Sequence, residues 1–409
     1  MKTLFTTVLF VLIAFGTAGA QWTPQTSGTT SLLYSVSAVD NNVVWACGAA
    51  GTVVRTTDGG ATWTNVSAAP VTGDLYNVFA IDVSNALVTN SGASATVWKT
   101  TNGGATWDQV FVQSGGFINV IEIGAGGTGF MEGDPVGGRW SLWKTTDSGT
   151  SWDSTGMYLP QAGSEAGWNN SVYMTGTSIW FGTSNSRIYS SVNGGLTWTA
   201  QSTSQANSYS VFFSGLVGLA GGTDGMKTTN GGLNWSAQTI SGSGNINGIA
   251  ASLSTFWAIR GTNVYKSTDD GATWTTDYTA TGALSDLAIA RSGNRLWAVG
   301  ATGGIYMSEG LLSVDPISSN LPERYSLSQN YPNPFNPTSK IRFDISKADF
   351  VTLKVYNTLG QEVTKLVNEN LQPGTYEVTF DGAGLNSGIY FYTIKSGDFV
   401  ETKKMMLVK

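Results

Sequence analysis

Short apolar runs, separated by turns rich in glycine, asparagine and aspartate, make up most of the chain between residues 21 and 309. Examples are VVWACG at 43–48, GTVVRT at 51–56 and RLWAVG at 295–300. Runs of this length, rich in β-branched and aromatic residues and bounded by turn-forming residues, are typical of β-strands. The pattern therefore predicts an all-β protein.

A unit that ends in tryptophan recurs along this region at intervals of about 40 residues. The first copy is TTDGGATW, which ends at Trp63. The other copies end at Trp107, Trp152, Trp198, Trp235 and Trp274. Four short strands and their turns take up about this many residues, so each repeat predicts one four-stranded sheet.

The polar residue at the centre of each unit predicts a turn that is held by its own side chain. These residues are Asp58, Asn102, Asp147, Asn193, Asn230 and Asp269. Their side-chain oxygens can accept hydrogen bonds from backbone N–H groups of the turn, and the following tryptophan can fill the gap between adjacent sheets. Calcium or phosphate binding is a poorer interpretation, because one carboxylate makes a weak calcium site and no helix follows to hold an anion.

The unit resembles the Asp-box, or BNR, repeat of sialidases and other β-propellers, although three copies have Asn for Asp and Asn234 replaces a threonine. The strands at 43–48 and 295–300 are also similar to those of photosystem II assembly factor propellers. The resemblance implies a β-propeller. It does not imply catalysis, since sialidases also need an arginine triad, a Tyr–Glu pair and an Arg-Ile-Pro motif, and the last is absent from this sequence.

The ends of the repeat predict how the ring closes. Trp22 lies one repeat before Trp63, whereas the strand near Tyr306 is followed by no further unit. We therefore expect residues 21–25 to pair with the strand around residues 305–308 and to complete a seven-bladed propeller over residues 21–309. Closure would hide strand edges that otherwise promote aggregation.

The two termini predict export. Residues 1–20 have a lysine, an apolar run and a final Ala-Gly-Ala, as in a secretory signal peptide, and the run is too short to be a transmembrane segment. After a linker at 310–324, residues 325–409 contain NYPNPFNP, VYNTLGQEV, SGIYFYTI and KKMMLVK. These motifs resemble the C-terminal sorting domain of the type IX secretion system. The resemblance implies a small immunoglobulin-like β-sandwich, recognition by the translocon, removal by a sortase and an extracellular or surface location.

Composition excludes many functions. The sequence has no His, one Cys and a net charge of −6 at pH 7. A Ser-His-Asp triad, a His-ligated metal site and a Cys-rich zinc site are therefore impossible, and a nucleic-acid surface lacks the basic residues it needs. GAGGTG at 124–129 matches a dinucleotide-binding pattern but is followed by a strand, so it predicts a hairpin turn. We expect no metal, no cofactor and a monomer.

The repeat is most irregular in the third and fourth blades. The third blade has a longer connection, EGDPVGGRW at 132–140, and the fourth begins after a long blade connection that ends in GWNNS. In a propeller both segments lie on the face opposite the boxes. The candidate ligand-binding residues there are Glu132, Asp134, Arg139, Trp140, Glu165, Trp168, Asn169 and Asn170. A similar GDPVxGR stretch occurs in a subgroup of uncharacterised bacterial BNR proteins.

Three interpretations of this region stay open on the sequence. It is an irregular blade with a surface ion pair around Arg139, a binding site for a glycan or protein partner, or a glycoside hydrolase site with Asp134 and Glu165 as acid and base. The sequence favours a non-enzymatic secreted propeller. Close carboxyl groups, one of them desolvated, would favour the hydrolase.

Overall fold

The computed structural model describes residues 22–252, 255–308, 322–347, 349–371, 373–382 and 385–409. The predicted signal peptide and most of the predicted linker lie outside these residues. The described part is nearly all β-structure, which confirms the predicted fold class. Its helices are three single 3-10 turns, none of which could cross a membrane.

The first part of the chain forms seven antiparallel sheets. Its elements are β1 (Trp22–Gln25), β2 (Leu33–Ala38), β3 (Val44–Gly48), a 3-10 turn (Ala49–Gly51), β4 (Val53–Thr56), β5 (Thr64–Asn65), β6 (Leu75–Ala80), β7 (Ala86–Ser91), β8 (Ser94–Thr100), β9 (Asp108–Ser114), β10 (Ile118–Ile123), a 3-10 turn (Ala125–Gly127), β11 (Gly129–Val136), β12 (Arg139–Thr145), β13 (Gly167–Thr175), β14 (Ser178–Thr183), β15 (Arg187–Ser191), β16 (Thr199–Ser202), β17 (Ser210–Ser214), β18 (Val217–Gly221), β19 (Gly225–Thr228), β20 (Ser236–Gln238), β21 (Ile246–Ser252), β22 (Thr255–Arg260), β23 (Asn263–Ser267), β24 (Thr275–Thr279), β25 (Leu284–Ile289), β26 (Leu296–Gly300), a 3-10 turn (Ala301–Gly303) and β27 (Ile305–Ser308).

The sheets are arranged as a closed ring around a channel. The first strand of each sheet, β2, β6, β10, β13, β17, β21 or β25, contacts the first strands of the sheets on both sides, and β25 contacts β2. The last sheet has the order β1-β27-β26-β25, with Trp22 opposite Ser308 and Gln25 opposite Ile305. The strand pairing expected from the sequence is therefore present.

The repeated units form turns on one face, and their tryptophans pack between sheets. In the first turn both carboxylate oxygens of Asp58 accept hydrogen bonds from Thr62, at 2.9 Å from its N–H and 2.6 Å from its hydroxyl. Trp107 is buried and meets Trp45 of the preceding sheet edge to face, with ring centroids 6.3 Å apart. Each sheet is thereby joined to its neighbour by an apolar core.

The third sheet differs from the expectation of four strands, because it has only β10, β11 and β12. Residues 153–160 follow β12 and pair with it at two isolated bridges, Lys144 with Asp153 and Arg139 with Pro160. A turn between them, closed by a hydrogen bond from the Met157 N–H to the Ser154 carbonyl, interrupts the strand.

The C-terminal part is a sandwich of two sheets around its own core. Its strands are β28 (Ser326–Leu327), β29 (Thr338–Ile345), β30 (Asp349–Tyr356), β31 (Glu362–Leu371), β32 (Gly374–Asp381), β33 (Gly388–Ser396) and β34 (Phe399–Leu407). The sheet orders are β28-β29-β32 and β31-β30-β33-β34. Ile341 and Tyr376 of one sheet pack with Leu353 and Tyr392 of the other. The exact domain boundaries and the immunoglobulin-like assignment stay predictions.

Candidate functional site

Glu165 lies in the connection between the third and fourth sheets and is held by surrounding donors. Its carboxylate accepts hydrogen bonds from Trp140 Nε1 at 3.0 Å, the Tyr189 hydroxyl at 2.8 Å and the Ala162 N–H at 2.8 Å. Arg187 forms an ion pair with it at 2.8 Å. The residue is 1% exposed, so Glu165 joins two sheets rather than facing a ligand.

Glu132 and Asp134 point to the same side of β11, where they meet the start of β13. Asp134 Oδ1 accepts hydrogen bonds from Asn119 Nδ2 at 3.1 Å and the Gly167 N–H at 2.8 Å. Burial, with a smaller effect of the Asp134 charge, raises the pKa of Glu132 well above its usual range. Gly167 lets the chain pass close to these side chains, since a Cβ there would displace the Asn119 amide and the Glu132 carboxyl group.

The third-sheet hairpin does not form the open loop expected from the sequence. Strands β11 and β12 continue to Val136 and Arg139, and the turn is Gly137-Gly138, both with positive φ. Trp140 is 3% exposed and packs on Phe181 with ring centroids 4.9 Å apart, so it is a core residue between sheets. Arg139 is exposed.

The ion pair in this region is formed by a residue that sequence reasoning missed. Arg187, and not Arg139, pairs with Glu165 among the described residues. Arg187 and Tyr189 lie in β15, an ordinary strand of the repeat, and the sequence carried no signal that would have singled them out.

The fourth sheet has an unusually long bulge in its innermost strand. Gly167 pairs with Thr183 and Val172 with Phe181, so residues 168–171 of β13 lie opposite Gly182 alone. The innermost strands of five other sheets have a single extra residue at the corresponding place. The longer bulge brings Trp168, Asn169 and Asn170 to the end of the channel.

Asn170 closes the channel below this bulge. Its side-chain oxygen accepts hydrogen bonds from Asn77 Nδ2 at 2.7 Å and from the Ser35 hydroxyl at 3.2 Å. Its Nδ2 donates to the Tyr34 carbonyl at 3.2 Å. Its φ of 61° is left-handed, a conformation that non-glycine residues adopt at a cost and that is found at functional sites.

Partly exposed aromatic rings surround this end of the channel, which we call the mouth. Its residues are Tyr34, Tyr76, Phe117, Trp168, Asn169, Tyr209, Asn245 and Asn247. The Trp168 and Tyr209 rings have centroids 4.5 Å apart at an angle of 60°, and Tyr34 stacks on Tyr76 at 5.3 Å. A pocket of about 220 Å³ lies between Trp168, Tyr209 and the asparagines. Of these residues, the sequence indicated only Trp168 and Asn169.

Below Asn170 the channel contains a cavity of about 260 Å³ with ionisable side chains. Burial raises the pKa of Glu122 to about 7 and that of Asp286 to about 6. The Arg291 guanidinium lies 4.5 Å from the centre of the Phe79 ring and donates to the Ser37 hydroxyl at 3.0 Å. Glu122 and Asp286 interrupt otherwise apolar inner strands, and this pattern is the sequence signal that indicates the cavity.

Metal binding has no ready site in this part of the protein. Within the described ranges, no three His, Cys, Asp or Glu side chains are grouped closely enough to hold a metal ion.

Two families match parts of the chain. Residues 329–409 match the secretion system C-terminal sorting domain, and residues 12–131 match photosynthesis system II assembly factor YCF48. No curated protein matches the chain.

Three solved structures are similar to the chain in fold. The chain is similar to YCF48 from Cyanidioschyzon merolae, with 19% identity and a TM-score of 0.54 over 71% of this chain and 98% of that one. A structure described as YCF48 bound to D1 peptide has 19% identity and a TM-score of 0.56, over 70% of this chain and 96% of that one.

A third similar structure is PorZ of Porphyromonas gingivalis, described as an essential bacterial surface component of the type-IX secretion system. It has 12% identity and a TM-score of 0.52 over 91% of this chain and 59% of PorZ. At these identities the likeness shows the fold alone. The sorting domain implies interaction with the secretion machinery. The chain thus has the β-propeller fold, with residues 12–131 similar to YCF48, and a type IX sorting domain that directs export to the surface or surroundings of a Gram-negative bacterium.

Proposed function

We propose that the protein is a secreted, non-catalytic binding propeller whose ligand, a glycan or protein partner, docks at the mouth. The observation that carries this proposal is the Trp168–Tyr209 pair, which the long bulge of β13 holds beside an open pocket. Aromatic rings with neighbouring amides are common in ligand sites. A peptide ligand is named for one similar propeller, YCF48.

The arrangement of the carboxylates supports binding over hydrolysis. A glycoside hydrolase needs two carboxyl groups that reach the scissile bond, one of them able to donate a proton. Glu165 is buried under three hydrogen-bond donors and an arginine, so it is not available to a substrate. Asp134 is partly exposed, and its Oδ1 accepts hydrogen bonds from Asn119 of the third sheet and from the Gly167 N–H of the fourth, which supports a structural role.

The experiment is a glycan array and a capture assay with outer-membrane proteins, alongside chromogenic glycosides. We expect retention without turnover, lost in Trp168→Ala and kept in Tyr158→Ala, an aromatic change at a 61% exposed position outside the mouth. Turnover abolished by Asp134→Asn or Glu165→Gln in a folded protein would overturn the proposal in favour of the hydrolase.

We also propose that the translocon recognises the sorting domain and that a sortase removes it. The terminal segment KKMMLVK contains the end of β34, which pairs with β33 along its whole length. Deletion of residues 403–409 should leave the propeller folded but the protein in the periplasm. Normal appearance of the truncated protein in the medium would contradict this.

A further inference from the structure

We propose that the mouth recognises the terminal ring of an uncharged glycan, an inference that rests on the proposed function and names its ligand class. In this arrangement a sugar ring packs on Trp168 and Tyr209, and its hydroxyls form hydrogen bonds with Asn169, Asn245 and Asn247.

The two rings provide an apolar corner for the carbon-bound face of a sugar. Trp168 and Tyr209 meet at 60° rather than in parallel, so they form two walls instead of covering each other. Both side chains are only partly buried. Such rings have large apolar faces and few torsions to immobilise, which suits a ligand with an apolar face.

The amides beside the rings have hydrogen-bonding capacity to spare. Asn247 donates one hydrogen bond, of 3.3 Å, to the Leu284 carbonyl. The side chains of Asn169 and Asn245 have no hydrogen-bond partner among the described residues. An amide offers both donors and an acceptor, and this combination matches hydroxyl groups, which also donate and accept.

The charge around the pocket favours an uncharged ligand. The residues that line it are Tyr34, Trp168, Asn169, Asn170, Tyr209, Asn245, Asn247 and Ser285, none of them ionised at neutral pH. Burial, with a smaller effect of the Asp74 charge, raises the pKa values of Tyr34 and Tyr76, so Asp74 lies near the rings of the mouth. The negative potential of the Asp74 carboxylate disfavours the binding of uronic acids, sialic acids and phosphate groups.

The pocket is small, which favours the end of a glycan chain. Its volume of about 220 Å³ is below the range of about 300–1,000 Å³ that is usual for drug-sized ligands. Asn170 closes the floor through its hydrogen bonds to Asn77 and Ser35. A chain therefore cannot pass into the channel, and one terminal ring fills the available space.

The test measures binding of the full chain to neutral oligosaccharides (cellotriose, maltotriose and chitotriose) and to acidic ones (sialyllactose and oligogalacturonate). Array hits are followed by calorimetry. We expect binding to neutral oligosaccharides only, weakened at least tenfold by Trp168→Ala and by Asn245→Ala, and unchanged by Tyr158→Ala. Asn245→Ala removes only a partly exposed amide, so it tests the site even where the tryptophan variant does not fold.

Three results would overturn the inference. The first is binding of acidic glycans only. The second is binding of neutral glycans that persists in both Trp168→Ala and Asn245→Ala. The third is that no glycan binds at all. In the last case, capture of an outer-membrane protein that depends on Trp168 would preserve the proposed function while refuting the glycan. Capture that is unchanged by Trp168→Ala would refute both the glycan ligand and the proposed function.

Discussion

The side chains of Asn170 and Asn77 meet across the channel, although they belong to the fourth and second sheets. The Asn77 amide donates a hydrogen bond of 2.7 Å to the Asn170 oxygen, past the third sheet that separates them along the ring. Asn77 in turn accepts the Ile121 N–H of that third sheet at 3.1 Å. Asn170 also accepts the Ser35 hydroxyl of the first sheet, so four sheets are joined through two asparagines.

We predict that Asn170→Ala destabilises the propeller more than Asn170→Gly. Both changes remove the hydrogen bonds to buried Asn77, at a cost of about 1–3 kcal/mol. Alanine also keeps a Cβ at a φ of 61°, which costs roughly 1 kcal/mol more and which glycine avoids. The melting temperature should be highest for the wild type, lower for Asn170→Gly and lowest for Asn170→Ala. Equal melting of the two variants would show that the left-handed backbone carries no cost.

Glu165→Gln should destabilise the fold without affecting any turnover. Arg187 would lose its counter-ion, and the buried Tyr189 hydroxyl would lose a strong hydrogen-bond acceptor. The free energy of unfolding should fall by about 1–3 kcal/mol. The matched control is Asp153→Asn, whose partner Lys144 lies 3.6 Å away in an exposed pair. It should change stability by less than about 0.5 kcal/mol. Denaturant unfolding of both variants measures the difference, and equal stability would mean that Glu165 does not join the sheets.

Glu122→Gln should stabilise the protein at neutral and alkaline pH. Burial raises the pKa of Glu122 in the folded chain to about 7, from an ordinary value of 4.5. The folded state therefore binds a proton that the unfolded state releases, and this contribution to stability is lost as the pH rises from about 4.5 to about 7. Glutamine is uncharged at every pH, so the variant does not lose this stability. The difference in free energy of unfolding is at most roughly 3 kcal/mol.

The readout for Glu122 is the melting temperature between pH 4.5 and pH 8. The variant should melt higher than wild type at pH 8, with the two curves converging towards pH 4.5. Glu323→Gln, a change at an exposed carboxylate, serves as the control and should leave the profile unchanged. A variant curve parallel to wild type would contradict the assignment of this titration to Glu122.

Asp269→Asn should be nearly neutral, whereas Asp269→Ala should cost about 1 kcal/mol. Asp269 accepts hydrogen bonds from the Ser267 hydroxyl at 2.7 Å and from the Thr273 N–H at 2.8 Å. Asn102 occupies the same position in another turn, and its oxygen accepts the Thr106 N–H at 3.0 Å. Thermal unfolding would separate the two variants. A large loss with asparagine would mean that the carboxylate charge, and not the turn geometry, stabilises the box.

Deletion of residues 21–26 should abolish the stable ring. The deletion removes β1 from the last sheet and the hydrogen bond of 2.8 Å from Trp22 Nε1 to Asp277. Trp107→Ala, which removes one side chain between two sheets, should cost about 3–5 kcal/mol and leave the ring closed. Thermal unfolding compares the two. A deletion variant that melts like wild type would show that the pairing of β1 with β27 does not stabilise the ring.

The fold was largely predictable because its signals are local. A turn such as that of Asp58 uses hydrogen bonds within four residues, and its repetition along the chain predicts the sheets. Even the pairing of Trp22 with Ser308, at opposite ends of the ring, follows from counting strands. The third sheet departed from the repeat because the turn at Ser154 interrupts its last strand.

The candidate site was predictable only in part. The sequence indicated the irregular region, and Trp168 and Asn169 do lie at the mouth. It did not indicate that Trp140 and Glu165 are buried beside each other, or that Tyr209 completes the pocket. Whether a tryptophan that breaks the repeat faces solvent or core depends on strand register, and a bulge changes that register without a clear sequence signal.

The class of fold, the repeating turn and the sorting domain follow from the sequence, since each depends on residues close together in the chain. Which side chains share a site depends instead on how the sheets pack. Asn170 reaches Asn77 and Ser35, and Arg187 reaches Glu165, because a closed ring brings distant strands to one axis. Contacts across that axis depend on how far each bulge moves its strand along the channel. The packing of neighbouring sheets sets this position, and no short segment of sequence does.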